Sequence, residues 1–124
     1  MRASQLQAYR NVQKVTMNDR ELEASVLAKA ALMLKSCQEN WDGPQREADL
    51  KEALRFNQML WSILQTDLSK DDHHLTKKLR EDILSLSIFI DKRIFEVMAS
   101  PAPEKLSIII DINLNMAAGL RGST

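Results

Sequence analysis

The 124-residue chain is poor in the residues on which many catalytic and ligand-binding sites depend. Cys37 is its only cysteine, so an intrachain disulfide is excluded and a cysteine-based zinc site has no ligand set. Its three glycines form neither a Gly-x-Gly-x-x-Gly pattern nor a phosphate loop. His73 and His74 are adjacent, so on a helix they point apart and cannot share a metal ion. We therefore expect no catalytic, metal or cofactor site, and we expect Cys37 to be a small buried side chain.

The chain also lacks an excess of either charge. Its 17 lysines and arginines balance 17 aspartates and glutamates, and the two signs are interspersed. No basic face of the kind that binds DNA through its phosphates is therefore expected. Lys77, Lys78 and Arg80 could still contact RNA phosphates locally, but Glu81 and Asp82 follow them directly. A solvated first helical turn is the simpler interpretation of this cluster, so direct RNA binding is not expected.

No apolar run is long enough to cross a bilayer, which takes about 20 residues. The beginning of the chain, "MRASQLQAYRNVQK", is polar and has no apolar segment of the kind found in signal peptides. We therefore expect no membrane association and a cytoplasmic location.

Between three breaks, apolar residues recur every three or four positions. The breaks are "NWDGPQ" at 40–45, "SKDDHH" at 69–74 and "ASPAPE" at 99–104. This spacing predicts four principal helices, and strand patterns are nearly absent. The predicted helices run from about Asp19 to Glu39, from Pro44 to Leu68, from about Thr76 to Ala99, and from Pro103 to Gly119 or Gly122.

A shorter helix is predicted ahead of these four, because Leu6, Tyr9 and Val12 or Gln13 have helical spacing. Asn18 can then cap the first long helix, with Glu21 at the third helical position in a capping-box arrangement. The fold class is therefore all-α: a compact bundle of four principal helices with a short N-terminal helix, in one domain spanning residues 1–124.

The third long helix has an apolar face too wide for one neighbour. One seam contains Leu79, Ile83, Leu86, Ile90, Ile94 and Val97, and off it lie Leu84, Ile88, Phe89, Phe95 and Met98. A helix that is apolar over so much of its circumference is expected to be surrounded by other helices. The sequence therefore predicts that the third helix is the central one.

Three asparagines stand in helices that are otherwise rich in Leu, Ile and Met: Asn57, Asn113 and Asn115. A buried amide without a partner would cost roughly 1 to 3 kcal/mol, so each needs a hydrogen-bond partner. One hypothesis is that amides pair between the second and last helices and fix their register, as a lone polar core residue does in coiled coils. The other is that they line a groove and bind the backbone of an incoming segment.

Four segments in order resemble one family. "EASVLAKAALMLKSCQ", "EALRFNQMLWSILQTDL", "LREDILSLSIFIDKRIFEV" and "LSIIIDINLNMAAGL" cover nearly the whole chain and follow the pattern of FlaF, the flagellar biosynthesis regulator of alphaproteobacteria. The strongest matches are "FNQMLW" and "IDINLNMAAGL". One departure is "HHLTKKLRED", where the family usually has a proline after the leucine. Thr76 can serve there as the helix cap.

The resemblance implies a non-enzymatic cytoplasmic factor required for flagellin production or export. It also implies a functional partnership with a second regulator, FlbT, which is linked to flagellin mRNA. Two molecular functions fit: a secretion chaperone that binds flagellin, or a post-transcriptional regulator of flagellin translation that acts on RNA or through FlbT.

The residues favour the chaperone. Terminal segments of flagellin are amphipathic helices, and a bundle with a wide apolar face can receive such a helix in a groove. Methionines at 33, 59, 98 and 116 could supply adaptable apolar surface. The candidate partner-binding residues are Trp61, Phe89, Tyr9 and Asn57. For Asn57 a role in setting helix register is the favoured interpretation, and Trp61 and Phe89 each have a rival interpretation as core.

Overall fold

The computed structural model describes residues 19–68 and 76–122. These residues form four α-helices: α1 (Asp19–Glu39), α2 (Arg46–Leu68), α3 (Lys77–Ala99) and α4 (Ser107–Gly122). A 3-10 turn, Pro103–Leu106, precedes α4, and no strand occurs within the described ranges. The all-α fold with four principal helices is confirmed. The predicted short N-terminal helix, with Tyr9, and the capping residue Asn18 lie outside the described residues.

The starts of α3 and α2 are set by a side-chain cap and by tight turns, respectively. The Thr76 side chain accepts a hydrogen bond from the backbone N–H of Leu79 at 3.2 Å, so the predicted cap of α3 is confirmed. Pro44 was expected in the first turn of α2, but α2 begins at Arg46. The preceding residues instead form tight turns, in which the N–H groups of Gly43 and Arg46 donate to the carbonyls of Asn40 and Gly43. A Cβ at Gly43 would lie 3.1 Å from the Asn40 carbonyl oxygen, a tight contact that glycine avoids.

Side-chain contacts at both ends show that α1 and α4 are antiparallel. At the end of α1, Gln38 Nε2 donates to the Pro103 carbonyl and to Ser107 Oγ, each at 2.9 Å. At the start of α1, Glu21 lies 3.9 Å from the Arg121 guanidinium. The two helices therefore run side by side over most of their length.

The most extensive helix packing is between α1 and α4, followed by α1 with α2 and α2 with α3. The prediction that the third helix is central is wrong, because α3 packs mainly against α2 and the 3-10 turn. The central helix is α1, whose buried alanines, Ala24, Ala30 and Ala31, allow close approach of its neighbours. Part of the wide apolar face of α3 consequently remains exposed.

Candidate functional site

A hydrogen-bond network at the centre of the bundle joins α1, α2 and α4. Asn57 donates from Nδ2 to the carbonyls of Ala30 at 3.2 Å and Ala53 at 2.9 Å. Its Oδ1 accepts from Nδ2 of Asn113 at 2.6 Å, and Asn113 Oδ1 accepts from the indole N–H of Trp61 at 2.9 Å. The register-setting hydrogen bond between the second and last helices is therefore present, and it is part of a larger network.

All three side chains of this network, Asn57, Trp61 and Asn113, are 0% exposed. A partner could reach Trp61 or Asn57 only if the bundle opened, so in the folded chain both residues have a structural role. Asn115, the third asparagine singled out from the sequence, is exposed and takes no part in the network. The favoured interpretation of Asn57 as a register-setting core residue agrees with the structure. Trp61, in contrast, was a candidate for the partner-binding surface, and its full burial between the helices makes it a core residue instead.

Most of the exposed large apolar side chains among the described residues lie on α3. Ile88 is 54% exposed and Phe95 is 62% exposed. Met98, three residues after Phe95, is also exposed. Together with the half-buried Leu84 and Asp91 they form a row at spacings of four, three, four and three residues. This spacing places all five on one side of a helix. We call Leu84, Ile88, Asp91, Phe95 and Met98 the α3 stripe.

Phe89 lies elsewhere on α3. It is six residues from Phe95, which places it roughly 120° away around the helix axis. Its ring is 37% exposed, and the Arg93 guanidinium carbon lies 5.7 Å from the ring centroid. Phe89 is therefore partly exposed rather than part of the core, and it lies apart from the α3 stripe. Tyr9, the remaining candidate, lies outside the described residues.

The methionines proposed as adaptable surface divide into two groups. Met33, Met59 and Met116 are half-buried against the core, whereas Met98 is exposed on the α3 stripe. Only Met98 among these four is thus well placed to contact a partner. The four-three spacing of the stripe is visible in the sequence, but periodicity alone does not distinguish Phe95 from the other apolar residues of α3.

A shallow surface pocket of about 430 Å³ lies between α1 and α2. Its lining combines apolar and charged side chains: Lys29, Leu32, Met33, Ser36, Cys37, Asp49 and Glu52. Burial raises the pKa of the Cys37 thiol, and the carboxylates of Asp49 and Glu52 raise it further. At neutral pH Cys37 is therefore a protonated thiol, which is a poor nucleophile.

The basic cluster at the start of α3 is accompanied by acidic side chains. Lys77 and Lys78 are exposed, and Lys78 Nζ lies 3.4 Å from Asp82 Oδ2 in an exposed ion pair one helical turn away. This arrangement is typical of a solvated helical face. Across the described parts of the chain, no helix combines the length and apolar character needed to cross a membrane.

Most of this chain matches a known protein family. The family model described as flagellar protein FlaF matches residues 5–120. No curated protein and no solved structure matches the chain. The matched range includes α1, α2, α3 and all but the last two residues of α4, and it contains both the central network and the α3 stripe.

Proposed function

Because this chain belongs to the FlaF family of flagellar proteins, we propose that it is a non-enzymatic cytoplasmic chaperone or adaptor that binds flagellin. Membership of the family makes it a flagellar protein. The observation that supports flagellin binding is the exposure of Ile88, Phe95 and Met98 on one side of α3. Clustered apolar side chains of this size on a surface are typical of a site for another protein.

The bundle does not need these side chains for its own core. The buried side of α3 is supplied by a different row, Ile83, Ile90, Ile94 and Val97. The polar groups at the centre of the bundle are paired with one another. One apolar side is enough for a helix to pack in a bundle. The second apolar side of α3, which contains Ile88, Phe95 and Met98, is therefore available for a partner. Terminal flagellin segments, as unpaired amphipathic helices, have the complementary apolar surface.

We expect the purified wild-type protein to bind a terminal segment of flagellin with a micromolar or lower Kd. Calorimetry should also give a negative heat-capacity change, because apolar surface is buried. A segment of equal length from the central part of flagellin is the control and should give no heat. Absence of heat and of co-elution with every flagellin segment would rule out direct flagellin binding and make FlbT the next partner to test.

A role in flagellin translation, alone or with FlbT, predicts a different result with RNA. We expect no submicromolar binding to a flagellin leader transcript at physiological salt, because the lysines at the start of α3 lie beside Glu81 and Asp82. The measurement is fluorescence anisotropy at two salt concentrations. Tight binding that is lost when Lys77, Lys78 and Arg80 are replaced by alanine would favour the translational function instead.

A further inference from the structure

We propose that the α3 stripe receives one amphipathic helix of the partner protein, and that a lysine or arginine of this helix faces Asp91. The inference rests on the proposed function, in which the partner helix is a terminal segment of flagellin. It adds the location of the site and the sequence pattern that the site selects.

The spacing of the stripe determines the form of the partner. Its residues recur at alternating intervals of four and three, which is the spacing of one helix in a two-helix seam. An apolar row from Leu84 to Met98 extends over 14 residues, or roughly 21 Å of helix. A straight helical partner with the same alternating spacing can contact the whole row, whereas an extended strand repeats every two residues and cannot match it.

Asp91 determines the charge of the partner. It lies in the middle of the stripe and is half-buried. Its neighbours one helical turn away are Ser87, Ile88, Ile94 and Phe95, none of which is a cation. Within the described parts of the chain Asp91 makes no ion pair. A partner that covers the stripe removes water from this carboxylate, so a basic residue opposite it is strongly favoured over an apolar or acidic one.

The same carboxylate disfavours a second copy of this chain as the occupant. Asp91 is the midpoint of the row that begins at Leu84 and ends at Met98. Two copies that pair over the whole stripe bring Asp91 against Asp91, whether the helices are parallel or antiparallel. Two like charges in a desolvated contact oppose association, so the stripe discriminates against self-pairing.

The test uses two designed helical peptides of about three heptads with leucines at the alternating four-three positions. The Lys peptide has lysine at the central seam position, and the Glu peptide has glutamate there. We expect full-length wild-type protein to bind the Lys peptide more tightly than the Glu peptide. Asp91→Lys should reverse this order, with each affinity changed by about tenfold. Glu96→Lys is the matched control, because Glu96 is an exposed residue on the other side of α3, and it should keep the wild-type order.

The apolar part of the site is tested in parallel. Phe95→Ala should weaken binding of the Lys peptide by about thirtyfold, as expected for a central aromatic anchor. Phe89→Ala, off the stripe, should bind like wild type. Thermal melting of each variant provides the folding control, and because Phe95 is 62% exposed its replacement should leave the Tm close to that of wild type.

The results of these experiments distinguish failure of the stripe proposal from failure of the proposed flagellin binding. If flagellin segments bind but the Asp91 and Phe95 variants bind them like wild type, the stripe proposal is wrong and flagellin binding stands. If no flagellin segment binds while the Lys peptide shows the expected dependence on Asp91, the stripe proposal stands and flagellin is not the partner. Dimerisation of the wild-type protein that Phe95→Ala abolishes would identify a second copy as the occupant and overturn the proposal. Tighter peptide binding by Tyr9→Ala would overturn it in favour of the chain's own N-terminal segment.

Discussion

Trp61→Ala is expected to lower the free energy of unfolding by about 3 to 5 kcal/mol. The Trp61 side chain is 0% exposed and is the largest fully buried side chain among the described residues. Its removal leaves a cavity between the helices. It also removes the indole N–H that donates to Asn113 Oδ1 at 2.9 Å. The measurement is urea unfolding followed by far-UV circular dichroism, since the substitution changes the fluorescence signal.

The second tryptophan supplies a matched control. Trp41 is half-buried in the connection between α1 and α2, where the guanidinium carbon of Arg46 lies 4.4 Å from the centroid of its ring. Trp41→Ala should therefore lose much less stability than Trp61→Ala, about 1 kcal/mol or slightly more. An unfolding free energy for Trp61→Ala within about 1 kcal/mol of wild type would contradict its core position. Trp61 would then again be a candidate for a surface that binds a partner.

Asn113→Leu should destabilise the fold by about 2 to 6 kcal/mol, because it leaves two buried polar groups without partners at about 1 to 3 kcal/mol each. These groups are the Trp61 indole N–H and the Asn57 Oδ1. Leucine has the same number of side-chain heavy atoms and the same branching as asparagine, so the loss of hydrogen bonds is expected to dominate the effect. Asn115→Leu, two residues away on the exposed side of α4, is the control and should change stability by about 0.5 kcal/mol or less.

The network also changes the expectation for Asn57→Leu. From the sequence alone, replacing an internally paired amide by an apolar side chain is often near neutral. In the structure the replacement leaves the Asn113 Nδ2 group without its acceptor, so we expect a loss of about 1 to 3 kcal/mol. The double variant with Asn113→Leu should be less destabilised than the sum of the two single variants, because the amides then leave together. Additive effects in this cycle would show that Asn57 and Asn113 do not interact.

These core variants help to interpret the binding experiments. Trp61→Ala and Asn113→Leu should reduce partner binding only to the extent that they unfold the protein. Phe95→Ala should reduce binding while the protein remains folded. If the binding residues lay in the core, every variant that lost binding would also lose stability. The comparison therefore tests whether the α3 stripe binds the partner and the central network only stabilises the fold.

The positions of the helices along the chain follow from short-range features of the sequence. The apolar spacing, interrupted at "NWDGPQ" and "ASPAPE", predicted α1 with the bounds found, Asp19–Glu39, and the cap at Thr76. Both features depend on residues within one or two turns of one another, namely the 3.6-residue period, a capping hydroxyl, and the missing donor of proline. The sequence also showed that Asn57 needed a partner and that the last helix could provide one.

Only the tertiary structure decided which helix is central and which of two apolar sides of a helix is buried. Periodicity places Phe95 and Ile94 on different sides of α3, but it does not say which side meets α2. That choice depends on how closely the helices approach, and the buried alanines of α1 favour α1 rather than α3 at the centre. The burial of Trp61 also depends on the packing of the helices. Trp61 contacts α4, where Asn113 Oδ1 lies 2.9 Å from its indole nitrogen. Phe95 is exposed because the core is already filled by a different side of its helix, the side that contains Ile90 and Ile94.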